Sequence, residues 1–240
     1  MQSDFSLNAD WSLRAEAHPE VDRWVQSPLP GVQRRLLHRR GGEQAIATSL
    51  VRYQPGSVFS AHVHDAGEEF LVLEGVFEDE HGRYPAGSYV RNPPRSRHSP
   101  RSDSGCLLFV KLRQFEPEDR LSVRVQIADL AVEVDPLEPS IVWRLLHNDP
   151  YEQVRVETWA PGLQVDRPLP DGGEFLVLQG GMTESHSWFL PLAWLRLPAG
   201  TRLSAQAGPD GATVWIKHGH LGRRCNGDNR AEDLHAPTSP

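Results

Sequence analysis

Short apolar runs, each bounded by turn residues, recur along the whole chain. The segments ATSLVRYQPG (47–56), EEFLVLEG (68–75) and GCLLFVKL (105–112) combine β-branched and aromatic residues with flanking Gly, Pro or Asp. Such runs are typical of β-strands joined by tight turns. A 3.6-residue apolar period, which would indicate a helix, is confined to a turn or two near residues 15–25. The pattern predicts an all-β fold of antiparallel sheets closed as a jelly roll.

The two halves of the chain repeat the same landmarks in the same order. RLLH followed by EQ occurs at 35–44 and, with identical spacing, at 144–153. EFLVLEG (69–75) corresponds to EFLVLQG (174–180), DEH (79–81) to ESH (184–186), and PAG recurs at 85–87 and 198–200. A repeat of about 100 residues is near the usual size of one domain. The sequence therefore predicts two tandem domains.

We place the predicted domains at residues 1–118 and 119–225, with a disordered tail at 226–240. The connecting stretch at 113–139 contains alternating apolar residues between 121 and 127, which favours a strand over a flexible linker. The last fifteen residues, NGDNRAEDLHAPTSP, are polar and lack an apolar pattern. The tail is therefore expected to lie outside both cores.

Composition excludes several classes of function. The 25 basic and 32 acidic residues leave a net charge of -7, which argues against a nucleic-acid partner. The basic run QRRLLHRR (33–40) is predicted to be a solvated strand rim. Neither a signal peptide nor an apolar stretch of membrane length is present, so we expect no membrane association and a cytoplasmic location. Two cysteines, Cys106 and Cys225, cannot form a disulfide framework.

One group of polar residues in the first repeat has the spacing of a metal site. His62 and His64 lie at i and i+2, so in a strand both side chains project from one face. Glu68 and Glu69 open the next strand, and His98 follows further along the chain. Three imidazoles and a carboxylate form a mixed nitrogen and oxygen ligand set suited to zinc, iron, manganese or nickel.

The same residues resemble two motifs of the cupin superfamily. G-x5-H-x-H-x3-E-x6-G runs from residue 56 to 75, and G-x5-P-x4-H runs from 87 to 98, although Arg95 stands where cupins usually have Gly. Residues 45–115 resemble the cupin-like domain of the zinc-binding anti-sigma factor ChrR. The resemblance implies a bicupin with one divalent metal ion, zinc in first place, and it selects Glu68 rather than Glu69. The implied ligands are His62, His64, Glu68 and His98.

The second repeat lacks all of the implied ligands. Alignment of the repeats places Pro168 and Pro170 at the positions of His62 and His64, and Gly173 or a gap at that of Glu68. No histidine follows the second PAG at the distance of His98. A purely architectural role for the histidines would not predict this joint loss, so the second domain is expected to be a degenerate cupin without metal.

Other residues have simpler interpretations. KHGH (217–220) is predicted to be a surface loop, and the histidines that persist in both repeats, at 38 and 147 and at 81 and 186, are assigned structural roles. Tyr89, Arg95 and Arg97 are either holders of an anionic ligand or rim residues. The apolar expansion SWFLPLAWLRL (187–197) either thickens the second core or forms a contact with another chain, such as a homodimer interface.

Two functions from different classes follow. The resemblance to ChrR implies a sensing or regulatory role in bacterial stress-response transcription, with a four-ligand zinc site. Only a short segment precedes the first domain and it holds no cysteine, so direct binding of a sigma factor is not expected. The alternative is an iron-dependent cupin dioxygenase acting on a small carbonyl or aromatic compound at the metal site.

Overall fold

The computed structural model describes residues 6–21, 23–42 and 44–222, and the chain within these ranges is built almost entirely of strands. The strands are β1 (Ala15–Ala17), β2 (Val25–Gln26), β3 (Val32–Arg40), β4 (Ile46–Tyr53), β5 (Ser57–Val58), β6 (His62–His64), β7 (Glu68–Asp79), β8 (Gly82–Pro85), β9 (Ser88–Asn92), β10 (Ser96–His98), β11 (Arg101–Ser102), β12 (Cys106–Leu112), β13 (Val123–Gln126), β14 (Glu133–Val134), β15 (Ile141–Asn148), β16 (Gln153–Trp159), β17 (Gln164–Leu169), β18 (Gly173–Glu184), β19 (Ser187–Phe189), β20 (Trp194–Leu197) and β21 (Thr201–His218). A short 3-10 helix spans Ile127–Asp129. The all-β prediction is confirmed.

The chain forms two compact units. Among the described residues, the N-terminal domain comprises 6–9 and 20–131, and the C-terminal domain comprises 10–19 and 132–222. The division therefore falls later than the predicted boundary at 118 and 119, because β13 pairs with β9 of the N-terminal domain. Residues 10–19 were also expected in the first domain, but β1 pairs with β20 of the C-terminal sheet.

The N-terminal domain contains a ten-stranded sheet and a separate two-stranded ribbon. The main path of the sheet runs β13-β9-β7-β12-β4-β3-β2, with β5, β8 and β11 attached beside it, and the ribbon pairs β6 with β10. All of these pairings are antiparallel. Apolar side chains from β4, β7, β9 and β12 form the core of this domain.

The C-terminal domain repeats this arrangement with a nine-stranded sheet. Its main path runs β1-β20-β18-β21-β16-β15-β14, with β17 and β19 attached. Strand β18 matches β7 in length, whereas the long strand β21 covers a region that is divided into separate strands in the first domain. A distinct core contains Trp159, Phe175 and Phe189 among other buried apolar residues.

One glycine position shows that the two domains share backbone geometry. Gly75 has φ +71°, and a Cβ atom there would lie 2.1 Å from the carbonyl oxygen of Gly105. Gly180 in the second repeat has φ +66° and the same 2.1 Å approach to Gly211. Neither position admits a side chain, because the facing backbone already occupies the space. The shared EFLVLxG motif therefore ends on a glycine for a steric reason.

Some sequence predictions concern residues that the structure does not describe. Cys225 and the tail at 226–240 lie outside the described residues. In the described part of the chain, none of the helical segments has the length and apolar character needed to cross a bilayer.

Candidate metal centre

The ribbon of β6 and β10 brings two distant histidines opposite each other. Its antiparallel register pairs His62 with His98 and His64 with Ser96. His62 and His64 share a face because side chains alternate along a strand. The two sequence motifs are therefore joined by backbone hydrogen bonds, and their three imidazoles lie on the same side of the ribbon.

The three histidines lie close together and Glu68 contacts two of them, and we call these four residues the metal centre. One ring nitrogen from each histidine lies within 4.8 Å of the others. The Nε2 atoms of His64 and His98 are 2.9 Å apart. The Oε2 atom of Glu68 lies 3.4 Å from Nε2 of His64 and 3.5 Å from Nε2 of His98. The structure thus brings together all four residues that the sequence predicted.

Neighbouring acceptors set the orientation of two imidazoles. Nδ1 of His98 lies 3.3 Å from Oδ2 of Asp79, and Nδ1 of His62 lies 3.1 Å from the carbonyl oxygen of Ser60. Since both oxygens accept hydrogen bonds, the proton of each neutral ring belongs on Nδ1. This arrangement leaves the Nε2 lone pairs available at the centre, as in proteins where an outer acceptor orients a metal-binding histidine.

Asp79 is well suited to its orienting role. Its side chain is buried and accepts hydrogen bonds from the Tyr84 hydroxyl and from the backbone amides of His81 and Gly82. Burial raises the pKa of Asp79, but the hydrogen bonds from His98 and His81 outweigh burial and hold the pKa below its ordinary value. Asp79 is therefore ionised near neutral pH and faces the ring of His98 as a carboxylate.

The surroundings of His64 and His98 shift the pKa values of the two rings in opposite directions. Burial lowers the pKa of His64, and the nearby imidazoles of His98 and His62 lower it further against the opposing charge of Glu68. For His98, burial lowers the pKa, but the hydrogen bond to Asp79 and the charge of Glu68 raise it above the ordinary value overall. The hydrogen bond between His98 and Asp79 favours positive charge on the His98 ring. It would equally favour a bond between His98 and a metal cation.

Glu68 and Glu69 lie on opposite sides of β7, as the resemblance implied. Oε2 of Glu68 accepts a hydrogen bond from the Asn92 amide at 3.3 Å, which leaves the carboxylate directed at the centre. Glu69 is 1% exposed and accepts a hydrogen bond from the Tyr89 hydroxyl at 2.8 Å. Tyr89 is thus committed to a structural contact and does not hold a ligand.

The donor set fits a divalent cation. The 2.9 Å separation of the His64 and His98 Nε2 atoms suits either a hydrogen bond between the two rings or two lone pairs that face one shared cation. Three imidazole nitrogens with one carboxylate oxygen suit zinc, iron, manganese and nickel. His62 is exposed while His98 is 2% exposed, so the centre is anchored in the protein and open on one side.

Two cavities adjoin the metal centre. One, of about 120 Å³, extends into the domain between apolar residues of β3, β4 and β12. The other, of about 630 Å³, is more open. Arg34, His62 and His64 line both cavities. A small molecule therefore has space beside the proposed metal ligands.

Strand pairing identifies what replaces the metal centre in the C-terminal domain. Leu112 pairs with Glu68 in the first domain, and its counterpart His218 pairs with Gly173 in the second. Gly173 therefore occupies the position of Glu68. Pro168 and Pro170 stand in or beside β17 in place of the two histidines of β6. The C-terminal domain has no equivalent of the metal centre among its described residues.

A different acidic cluster occurs in the C-terminal domain. His147, Asp149 and Glu152 have donor atoms within 4.8 Å of one another. Nε2 of His147 lies 2.9 Å from Asp149, and Nζ of Lys217 lies 2.9 Å from Glu152. The buried ammonium group already supplies the positive charge in this cluster, so we assign it a structural role.

Several expectations about other residues were wrong. KHGH (217–220) is not a surface loop, since Lys217 is 0% exposed and His220 contacts Oε1 of Glu174 at 2.9 Å. The basic run 33–40 is not a solvated rim, because Arg35 is 2% exposed and Arg34 lines the cavities. Both regions are buried by strands that are distant in sequence, so local charge patterns did not reveal their environment.

The apolar expansion at 187–197 mainly fills the C-terminal core. Phe189, Trp194 and Leu195 are fully buried. Trp188 is 43% exposed and lies against Gly181 and Gly208. The core interpretation is confirmed for most of the segment. The homodimer contact stays a prediction.

Sequence reasoning missed two residues that the structure places at the site. Asp79 is the first residue of the DEH landmark, which follows its preceding glycine at the same distance as ESH does in the second repeat. This correspondence predicted a shared turn but gave Asp79 no role at the metal centre. Arg34 was grouped with its basic neighbours. The repeat did contain a sign that Arg34 faces the interior. Its counterpart in the RLLH alignment is Trp143, an apolar residue of the kind found at buried positions.

Comparison with known proteins agrees with this geometry. Residues 14–116 match the family model of the ChrR cupin-like domain. Comparison with curated proteins gave no match.

Solved structures share the fold of this chain at low sequence identity. A provisionally assigned dioxygenase from Nostoc punctiforme is 14% identical with a TM-score of 0.68, covering 88% of this chain and 81% of its own. YlbA from Escherichia coli is 13% identical with a TM-score of 0.67, and the match covers 90% of this chain and 94% of YlbA. The pirin YhhW from Escherichia coli, solved with nickel(II), is 13% identical with a TM-score of 0.63. The match covers 86% of this chain and 99% of YhhW. At these identities the likeness shows the fold alone.

Proposed function

We propose that the chain is a cupin-superfamily protein with a ChrR-like cupin domain, and that its N-terminal domain binds one divalent metal ion at the metal centre. Zinc is the expected ion, because three imidazoles and one carboxylate complete a four-ligand shell. Iron, manganese and nickel suit the same donors. The observation that carries this proposal is the close approach of three histidine nitrogens, with the Glu68 oxygen 3.4 Å from His64 and 3.5 Å from His98.

We assign the metal centre a sensing or regulatory role in bacterial stress-response transcription. The match of residues 14–116 to the ChrR cupin-like domain supports this assignment. The cavities beside the centre support a signal in the form of a small molecule. Direct binding of a sigma factor is not part of the proposal, and a pull-down with a group IV sigma factor is expected to be negative.

Metal content tests the proposal directly. We expect elemental analysis of the purified protein to find one divalent ion per chain, and the variant His98→Ala to lose it. His81→Ala is the matched control, because His81 lies in the adjoining turn and contacts the carbonyl oxygen of Arg97. Metal-free wild-type protein, or a His98→Ala variant with full occupancy, would contradict the proposal.

A dioxygenase acting on a small carbonyl or aromatic compound is the second candidate. The specific observation in its favour is the cavity of about 630 Å³ that reaches His62 and His64. An iron ion at the centre would supply coordination positions for oxygen and an organic ligand. The protein itself would supply an apolar wall and the cationic side chain of Arg34.

The identity of the metal separates the two candidates. Stoichiometric zinc in protein from cells grown without added metal, with no oxygen uptake, supports the regulatory role. Oxygen uptake that requires Fe(II) and is lost in Glu68→Ala supports the dioxygenase. Each assay is to be run on His81→Ala as well, which is expected to match the wild type.

A further inference from the structure

Strand β3 directs an arginine into the interior of the N-terminal domain. Val32, Arg34 and Leu36 alternate along β3 and line the inner cavity. A bulge then shifts the register between Leu36 and His38, so that Leu37 is an extra residue and Arg39 returns to the cavity face. Two arginines of the basic run, Arg34 and Arg39, therefore line the inner cavity.

Arg34 lacks a counterion among the residues that the structure describes. Within residues 6–21, 23–42 and 44–222, its side chain makes no ion pair or hydrogen bond. Burial lowers the pKa of Arg34, and the nearby charge of Arg39 lowers it further despite the opposing influence of Tyr53. A half-buried cation without a partner is costly to the folded protein. Such a cost is offset when an anion binds.

The remaining charges around the two cavities are already committed. Asp65 pairs with Arg113. Glu68 belongs to the metal centre, and Arg39 donates a hydrogen bond to the carbonyl oxygen of Gly42. These are the charged side chains that line the cavities besides Arg34. Arg34 therefore leaves uncompensated positive charge next to a site proposed to hold a divalent cation.

The walls around Arg34 are suited to a hydrocarbon group. Phe59, Val51 and Leu112 line the inner cavity together with the ring of Tyr53. The Tyr53 ring packs edge-on against Phe59 at 5.1 Å between centroids. Burial raises the pKa of Tyr53, so its hydroxyl stays protonated and adds no negative charge beside the cavity.

The C-terminal domain lacks this arrangement. Pairing across the sheet sets Arg34 opposite Val51, and at the equivalent pair Trp143 lies opposite Glu157. Glu157 is 0% exposed and bonds to Arg167. In the described part of the repeat without metal ligands, both arginines near this position, Arg155 and Arg167, contact a buried carboxylate.

We propose that the cavity beside the metal centre binds a small organic anion, a carboxylate with a compact apolar body, whose charged end pairs with Arg34. The apolar walls favour an organic acid over inorganic phosphate, and the guanidinium favours a carboxylate over a neutral compound. This inference deepens the proposed function, since it names the chemical class of the small molecule expected at that site.

Matched probes test the preference for negative charge. Binding of isobutyrate, isobutyramide, benzoate, benzamide and inorganic phosphate is to be measured by calorimetry on the full chain, with metal content determined on each sample. We expect one of the carboxylates to bind about 10- to 100-fold more tightly than its amide. Arg34→Met is expected to abolish that preference. Arg52→Met is the control, because Arg52 is exposed on the neighbouring strand and stacks on Trp24.

A melting curve adds a readout that a structural arginine would not produce. Arg34→Met is expected to melt at the same temperature as the ligand-free wild type or higher, since it removes a half-buried charge without a partner. A clear loss of stability would instead indicate a structural role and overturn the inference.

Other outcomes also decide the question. The inference is overturned if neither carboxylate binds at millimolar concentration, if amides or phosphate bind as tightly, or if Arg34→Met keeps the preference. A protein that contains no metal yet retains an Arg34-dependent preference for carboxylates would sink the metal proposal alone. The two failures are therefore distinguishable.

Discussion

The N-terminal and C-terminal domains share a pattern of strand pairing. They differ in whether the polar side chains of their interiors find partners within the domain. In the N-terminal domain, three histidines, Glu68 and Arg34 surround space that a metal ion and a ligand could occupy. In the C-terminal domain, Arg155 and Arg167 both contact the buried carboxylate of Glu157. The first interior leaves polar groups for an external partner, while the second supplies its own partners.

The difference arises at a few equivalent positions on strands β4 and β16. Ser49, Val51 and Tyr53 line the inner cavity of the N-terminal domain. Register places Arg155, Glu157 and Trp159 at these positions in the C-terminal domain. The indole of Trp159 donates a hydrogen bond to Glu157 at 2.6 Å. One scaffold therefore supports either a binding site or a self-contained polar network, depending on which side chains face inward.

The largest expected effect concerns the internal network of the C-terminal domain. Glu157→Gln removes the one negative charge that Arg155 and Arg167 both contact, so we expect the free energy of unfolding to fall by about 3–5 kcal/mol. Chemical denaturation provides the measurement. Asp166→Asn is the matched control, because Asp166 pairs with Arg202 at the surface, where both side chains are more than half exposed. It should change stability by less than about 1 kcal/mol.

Acid should act on the same network. Burial raises the pKa of Glu157, but the hydrogen bonds and charge of Arg167, with the charge of Arg155, outweigh it and hold the pKa below the ordinary value. The stabilisation is present above the ordinary pKa of Glu and is lost as the pH falls through the lowered pKa. Glu157→Gln should flatten this acid limb. Equal acid sensitivity in the variant and the wild type would show that other groups control it.

Metal affinity is the next largest effect and concerns the N-terminal domain. Asp79→Asn keeps a hydrogen-bond acceptor near His98 but removes the negative charge, so we expect metal affinity to fall by about 10- to 100-fold. Competition with a chelating dye measures the change. Glu184→Gln is the control, because Glu184 holds the equivalent turn and pairs with Arg14 instead. Unchanged affinity in Asp79→Asn would remove Asp79 from the metal site.

The smallest effect concerns a backbone departure from the cupin motif. Arg95 stands where glycine is usual and has φ 73°, a conformation that favours glycine. Arg95→Gly is therefore expected to stabilise the N-terminal domain by about 0.5–1 kcal/mol. Arg97→Gly, two residues later in the extended strand β10, should destabilise it by a similar amount. Calorimetric melting of both variants provides the test, and a destabilised Arg95→Gly would contradict it.

Much of the N-terminal site could be predicted because its information is local. His62 and His64 share a face through the two-residue period of a strand, and motif spacing separated Glu68 from Glu69. The repeat then marked the C-terminal domain as lacking the ligands. Asp79 and Arg34 could not be assigned in this way, because their roles depend on strands that meet them from elsewhere in the chain.

The sequence by itself determined the strand content, the internal repeat and the set of four residues that converge in the N-terminal domain. These properties follow from side-chain alternation and spacing along single segments. Only the tertiary structure decided that β1 joins the C-terminal sheet, that His220 is buried against Glu174, and that a bulge in β3 returns Arg39 to the cavity face lined by Arg34. The physical reason is that burial and facing depend on long-range register, which no single segment encodes.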